Sequence, residues 1–126
     1  MKTLKLLWID DMLSWVSSAQ SNLHIVANKY GIKLEFVTAI NGEDVVQQLM
    51  LSQFDGVIMD YHMEPFNGDK YIWDIRREEH LFYIPIIFYS QDNSTDIKSK
   101  ISDLGNVKIV FRPNLEDKIK EIFFKI

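Results

Sequence analysis

Leu4-Lys5-Leu6-Leu7-Trp8-Ile9-Asp10-Asp11 is the stretch whose reading decides the fold: an apolar run that stops at two aspartates. Near-continuous apolar runs of this length read as strands buried on both faces, as in a parallel sheet covered by helices. The pattern recurs at Val57-Ile58-Met59, which Asp60 closes. Side-chain chemistry in open parallel sheets collects outside the carboxyl ends of the strands. If the two runs are neighbouring parallel strands, three carboxylates meet at one point. Carboxylates brought that close repel and push one pKa up unless a cation sits among them. A hard divalent ion such as Mg²⁺ suits the place, because it takes oxygen ligands and keeps waters that a phosphate can replace. The stretch therefore implies an acidic, Mg²⁺-holding site for phosphoryl chemistry.

Outward from these runs, apolar and amphipathic segments alternate. Strands are expected at 4–9, 33–38, 55–60, 84–90 and 107–111. Leu13, Val16, Ala19, Leu23, Val26, Ala27 and Tyr30 follow helical spacing up to Gly31, a residue suited to ending a helix. Val45, Val46, Leu49 and Met50 form a second stripe behind Asn41-Gly42, and Tyr71, Ile72 and Ile75 a third after Pro65-Phe66-Asn67-Gly68. Ile97, Ile101 and Leu104 make a narrower fourth stripe. Leu115, Ile119, Ile122, Phe123 and Ile126 make the fifth, with Asn114 as its cap. Five strands alternating with five helices predict an α/β fold, a (βα)5 doubly wound five-stranded parallel sheet of flavodoxin-like order, as one domain over residues 1–126.

Composition and missing motifs narrow the function. With 126 residues the chain can bury a real core but is too short for two domains. A net charge of −4 offers no basic footprint for nucleic acid, and Arg76-Arg77 reads as a solvated helix face. There are no cysteines, so disulfides and thiolate zinc sites are excluded, and the three histidines are too scattered for a zinc site. Neither a membrane-length apolar stretch nor a charged-then-apolar leader is present, and a cytoplasmic location is expected. The first strand is followed by Asp10-Asp11 rather than by G-x-G-x-x-G or a P-loop, and no G-x-S-x-G elbow occurs. The site binds a cation first and an anion through it.

At this point the chain resembles a response-regulator receiver domain, the phosphoacceptor module of two-component signalling. The resemblance spans essentially the whole chain. It rests on Asp10-Asp11 after the first strand, Asp60 after the third, and Gly68 eight residues beyond Asp60. Ser90 after the fourth strand and Arg112-Pro113 after the fifth, 22 residues on, complete it, and 38–43 resembles the family's second βα connection. The resemblance implies that Asp60 receives a phosphoryl group from a histidine kinase or phosphotransfer protein. It also implies that Asp11 ligates Mg²⁺ directly, Asp10 through water, and His62 by its backbone carbonyl. Ser90 would then hydrogen-bond a phosphoryl oxygen, and the surface of the fourth helix, fifth strand and fifth helix would signal to a downstream partner or output domain. No separate substrate is expected to be turned over.

Four positions depart from the family pattern. Arg112 replaces the usual lysine, so it either holds a phosphoryl oxygen or locks onto Asp60 or Asp10 at rest. Ile109 stands where a rotating aromatic side chain normally sits. Gln91 follows Ser90 where the family favours a small residue, and Glu64-Pro65 puts the loop proline one place late. The resemblance also implies a cis Arg112–Pro113 bond. Trp8, Trp15 and Trp73 read as packing residues. Two rival readings are a pseudo-receiver acting as a phosphorylation-independent interaction module, and a Mg²⁺-dependent aspartyl-phosphate phosphatase. The second is disfavoured because His62 occupies the place where that chemistry needs a second carboxylate.

Overall fold

The computed structural model of the chain describes residues 2–91, 96–101 and 104–126. β1 (Lys2–Ile9), β2 (Ile32–Ala39), β3 (Gly56–Asp60), β4 (Ile86–Ser90) and β5 (Val107–Phe111) form one sheet in the order β2-β1-β3-β4-β5. Every pairing is parallel. The helices are α1 (Leu13–Lys29), α2 (Val45–Leu51), α3 (Gly68–Arg77) and α4 (Leu115–Ile119), and α4 runs on as a π-helical segment over Lys120–Phe124. Among the described residues no helix is long and apolar enough to cross a membrane.

Strand alternation sorts the core into two layers. Leu4, Leu6 and Trp8 of β1 join Ile58, Ile87 and Tyr89 beneath α1 and α4, against Val16, Leu23, Leu115 and Ile119. Leu7 and Ile9 join Val57, Met59, Ile86 and Phe88 on the other face, against α2 and α3. Full burial of each such side chain contributes about 1.5–3 kcal/mol. Both faces of the central strands are apolar, so they read as runs rather than as an alternation. Gly31, at φ 70°, takes the left-handed conformation that closes α1.

Three expectations are corrected. The predicted fourth helix is a run of turns among the described residues: Lys100 N–H donates to Ile97 O, Ile101 N–H to Lys98 O, and Leu104 N–H to Ile101 O. Each of these bonds reaches back three residues rather than four, the spacing of tight turns and not of an α-helix. Ile97 and Ile101 are nonetheless buried in the second layer, so the apolar stripe is used without a helix. Residues 102–103 of that segment lie outside the described residues.

Arg112–Pro113 is not cis; the cis bond is Glu64–Pro65. Arg112–Pro113 instead opens a 3-10 turn over Arg112–Asn114, with proline at its start, where a missing N–H costs nothing. The third correction is Arg76, which is buried rather than solvated. Its guanidinium donates to Leu81 O at 3.0 Å, Ile84 O at 2.7 Å, Gly105 O at 3.1 Å and Asn106 O at 3.1 Å. A planar fork of five donors can satisfy four carbonyls at once, and α3 is thereby tied to the segments entering β4 and β5.

Candidate functional site

Parallel register brings the acidic ends together. Ile9 pairs with Met59 across β1 and β3, so the next residues, Asp10 just past β1 and Asp60 at the end of β3, emerge side by side. Carboxylate oxygens of Asp10, Asp11 and Asp60 lie within 4.8 Å of one another. Asp10 and Asp60 are buried, and Asp11 is exposed.

Burial pushes the Asp60 carboxyl up from 3.8 to about 7; the neighbouring charges of Asp10 and Asp11 add to the shift, while the backbone N–H groups of His62 and Tyr61 oppose it. Among the described residues no lysine or arginine forms an ion pair with these three carboxylates. Three crowded oxygen donors without a protein cation form a set suited to a hard divalent ion. The residues present therefore fit Mg²⁺.

Asp10 is held from two sides. Its Oδ1 accepts from Met12 N–H at 2.8 Å, and its Oδ2 accepts a short hydrogen bond from the Tyr89 hydroxyl. Trp8 Nε1–H in turn donates to the Tyr89 oxygen at 2.9 Å. Burial, and next the Asp10 charge, push the Tyr89 phenol well above its ordinary range, so it remains a donor. Tyr89 was missed by the sequence reading. Alternation sends it to the face opposite Ser90, where an aromatic residue reads as core, and only the length of the side chain lets its hydroxyl reach Asp10. A polar-tipped aromatic beside Ser90 was the one available signal.

Gly68 marks how closely the site is packed. A Cβ there would stand 2.1 Å from the Asp60 carbonyl oxygen, and Gly68 N–H donates to Tyr61 O at 2.8 Å. The start of α3 thus presses on the backbone that carries Asp60. Ser90 ends β4, buried at 4 % exposure, and His62 is exposed on the loop after Asp60.

Arg112 does not pair with Asp60 or Asp10, so the resting lock expected as one alternative is not formed. Its guanidinium carbon stands 3.9 Å from the centroid of the Trp15 ring, and Nη1 donates to Gln91 Oε1 at 2.6 Å. Trp15 is therefore more than a packing residue. Ile109 is 38 % exposed on β5.

Known proteins share this fold. The chain superposes on the chemotaxis response regulator CheY4 of Vibrio cholerae with a TM-score of 0.78, 18 % identity, and 98 % of each chain covered. It superposes on the phosphorylated cyanobacterial phytochrome response regulator RcpA with a TM-score of 0.79 and 19 % identity, covering 97 % of this chain and 94 % of that one. Response regulator TrrA of Thermotoga maritima, solved in complex with Mg²⁺-BeF, gives a TM-score of 0.72 and 20 % identity over 96 % and 98 % of the two chains. At these identities the likeness establishes the fold. A search of curated protein sequences finds no match. The sequence description of the response regulator receiver domain matches residues 7–124. A match over that span, on a sheet whose acidic residues gather at one end, settles the question of family: the chain belongs to the response regulator receiver domains of two-component signalling.

Proposed function

We propose that the chain is a single receiver domain, residues 1–126, whose Asp60 accepts a phosphoryl group from the phosphohistidine of a sensor kinase or phosphotransfer protein. The observation that carries this reading is the convergence of Asp10, Asp11 and Asp60 within 4.8 Å, with no cation among the described residues paired to them. Asp11, Asp10 through a water, Asp60 and the His62 carbonyl would hold Mg²⁺. When bound, the ion supplies charge neutralisation for phosphoryl oxygens.

The chain's own residues do the rest. An Asp60 carboxylate oxygen forms the new O–P bond as the P–N bond of the donor imidazole breaks, and the electron pair stays on that nitrogen. Tyr89 and Met12 N–H keep Asp10 oriented beside Asp60. Ser90 donates to a phosphoryl oxygen, and Arg112 approaches the added charge. The new charge then biases the surface built from the turns at 96–101, β5 and α4, which passes the signal to a protein partner in the cytoplasm. No separate substrate is turned over.

Intact mass after incubation with Mg²⁺ and acetyl phosphate tests the proposal. One added phosphoryl group is expected, lost in Asp60→Asn and without Mg²⁺. Failure of both acetyl phosphate and Mg²⁺-beryllofluoride to bind would instead favour a phosphorylation-independent interaction module. The engagement of Arg112 with Gln91 and Trp15 is the observation on that side.

A further inference from the structure

Two of the four departures from the family pattern touch each other. Arg112 Nη1 donates to Gln91 Oε1 at 2.6 Å, while the carbon of the same guanidinium stands over the Trp15 ring, 3.9 Å from its centroid. Met12 Sδ is 3.8 Å from Nη1. Trp15 sits in the first turn of α1, Gln91 directly after β4, and Arg112 directly after β5, so one side chain joins three of the segments that surround the acidic cluster. The indole is itself braced, edge-on to Trp8 at 6.0 Å and tilted against Tyr89 at 5.9 Å. A planar guanidinium can lie on a ring and donate in its own plane at the same time, which an ammonium cannot do. Arginine and glutamine at these positions therefore make sense together.

From this geometry we propose that Trp15, with Gln91, is a positioning residue that holds Arg112 at rest beside the acidic cluster, so that a phosphoryl group on Asp60 must draw Arg112 off the indole. The inference rests on the phosphoacceptor reading above and adds to it the residues that set the affinity of the site for its charged product. The stack stabilises the resting arrangement alone. Its loss therefore strengthens binding of a phosphoryl group or its mimic, the reverse of what removing an aromatic brace from a site usually does.

The test is titration calorimetry of Mg²⁺-beryllofluoride into the wild type, Trp15→Leu, Arg112→Ala and the double variant. An exposed cation–π contact sets the expected scale, so Trp15→Leu tightens the apparent affinity by about 2- to 5-fold. In the Arg112→Ala background the same change has no effect. Gln91→Ala, at an exposed residue, repeats the comparison without touching the core, and shows the same dependence on Arg112. Equal effects in both backgrounds, or none in either, overturn the proposal while leaving Asp60 as the acceptor. Absence of beryllofluoride binding to the wild type overturns the phosphoacceptor reading and this inference with it.

Discussion

In the unfolded chain Asp60 ionises near 3.8, and in the fold near 7. Between these values the folded protein holds a proton that the unfolded chain has released, so stability falls as pH rises through this window. Asp60→Asn removes the dependence. In metal-free buffer the stability advantage of the variant over wild type is expected to be about 2–3 kcal/mol larger at pH 8 than at pH 5, read from urea unfolding at the two pH values. Tyr89 is the complementary case. Tyr89→Phe leaves Trp8 Nε1–H and one oxygen of the buried Asp10 without their partner, and is expected to cost about 1–3 kcal/mol in the same unfolding measurement. No change would mean that the hydroxyl does not support Asp10. The crowding that raises one carboxyl was legible in the strand-end acids, but the role of Tyr89 was not, because the group that steadies Asp10 comes from a strand two places away in the sheet.

Among the elements, α3 shows how far a local reading carries. Tyr71, Ile72 and Ile75 announced its apolar face and are buried as expected. Arg76 belongs to the same buried set, because the carbonyls of Leu81, Ile84, Gly105 and Asn106 converge on it. Helical spacing says which residues face inward but not which distant carbonyls need a donor. Arg76→Lys keeps the charge and loses the fork, and should destabilise the fold by about 2–4 kcal/mol. Arg77→Ala, exposed one residue later, should stay within about 0.5 kcal/mol by the same thermal or chemical unfolding assay. The segment after β4 makes the opposite point. Its stripe of Ile97 and Ile101 was read correctly as apolar and buried, and wrongly as helical: among the described residues its backbone bonds reach back three residues, and apolar spacing alone does not separate a run of turns from a helix.

For the molecule as a whole, the acidic cluster is a cost that a bound cation offsets. Mg²⁺ is expected to raise the thermal unfolding midpoint, with a gain of about 2.7 kcal/mol once the free ion reaches a hundred times its dissociation constant. Sodium at equal ionic strength should leave the midpoint nearly unmoved, and Asp11→Asn should diminish the Mg²⁺ effect. An equal response to both salts would reduce the cluster to screening of a net charge of −4.

The sequence by itself determined the sheet and the gathering of its acids. Leu4–Ile9 and Val57–Met59 are apolar throughout because both faces of a central parallel strand are covered, and their closing aspartates must then share one end of the sheet. Strand bounds fell within two residues of those expected, because an apolar run marks a strand covered on both faces without knowledge of its partners. Tertiary structure alone decided where the long polar side chains go. Arg112 lies on Trp15 and Gln91 rather than on an aspartate, Arg76 turns inward to four carbonyls, and the Tyr89 hydroxyl reaches Asp10. Apolar burial depends on a residue's own character and position, whereas a flexible charged or hydroxyl-bearing side chain settles wherever folding happens to leave an unsatisfied partner within its reach.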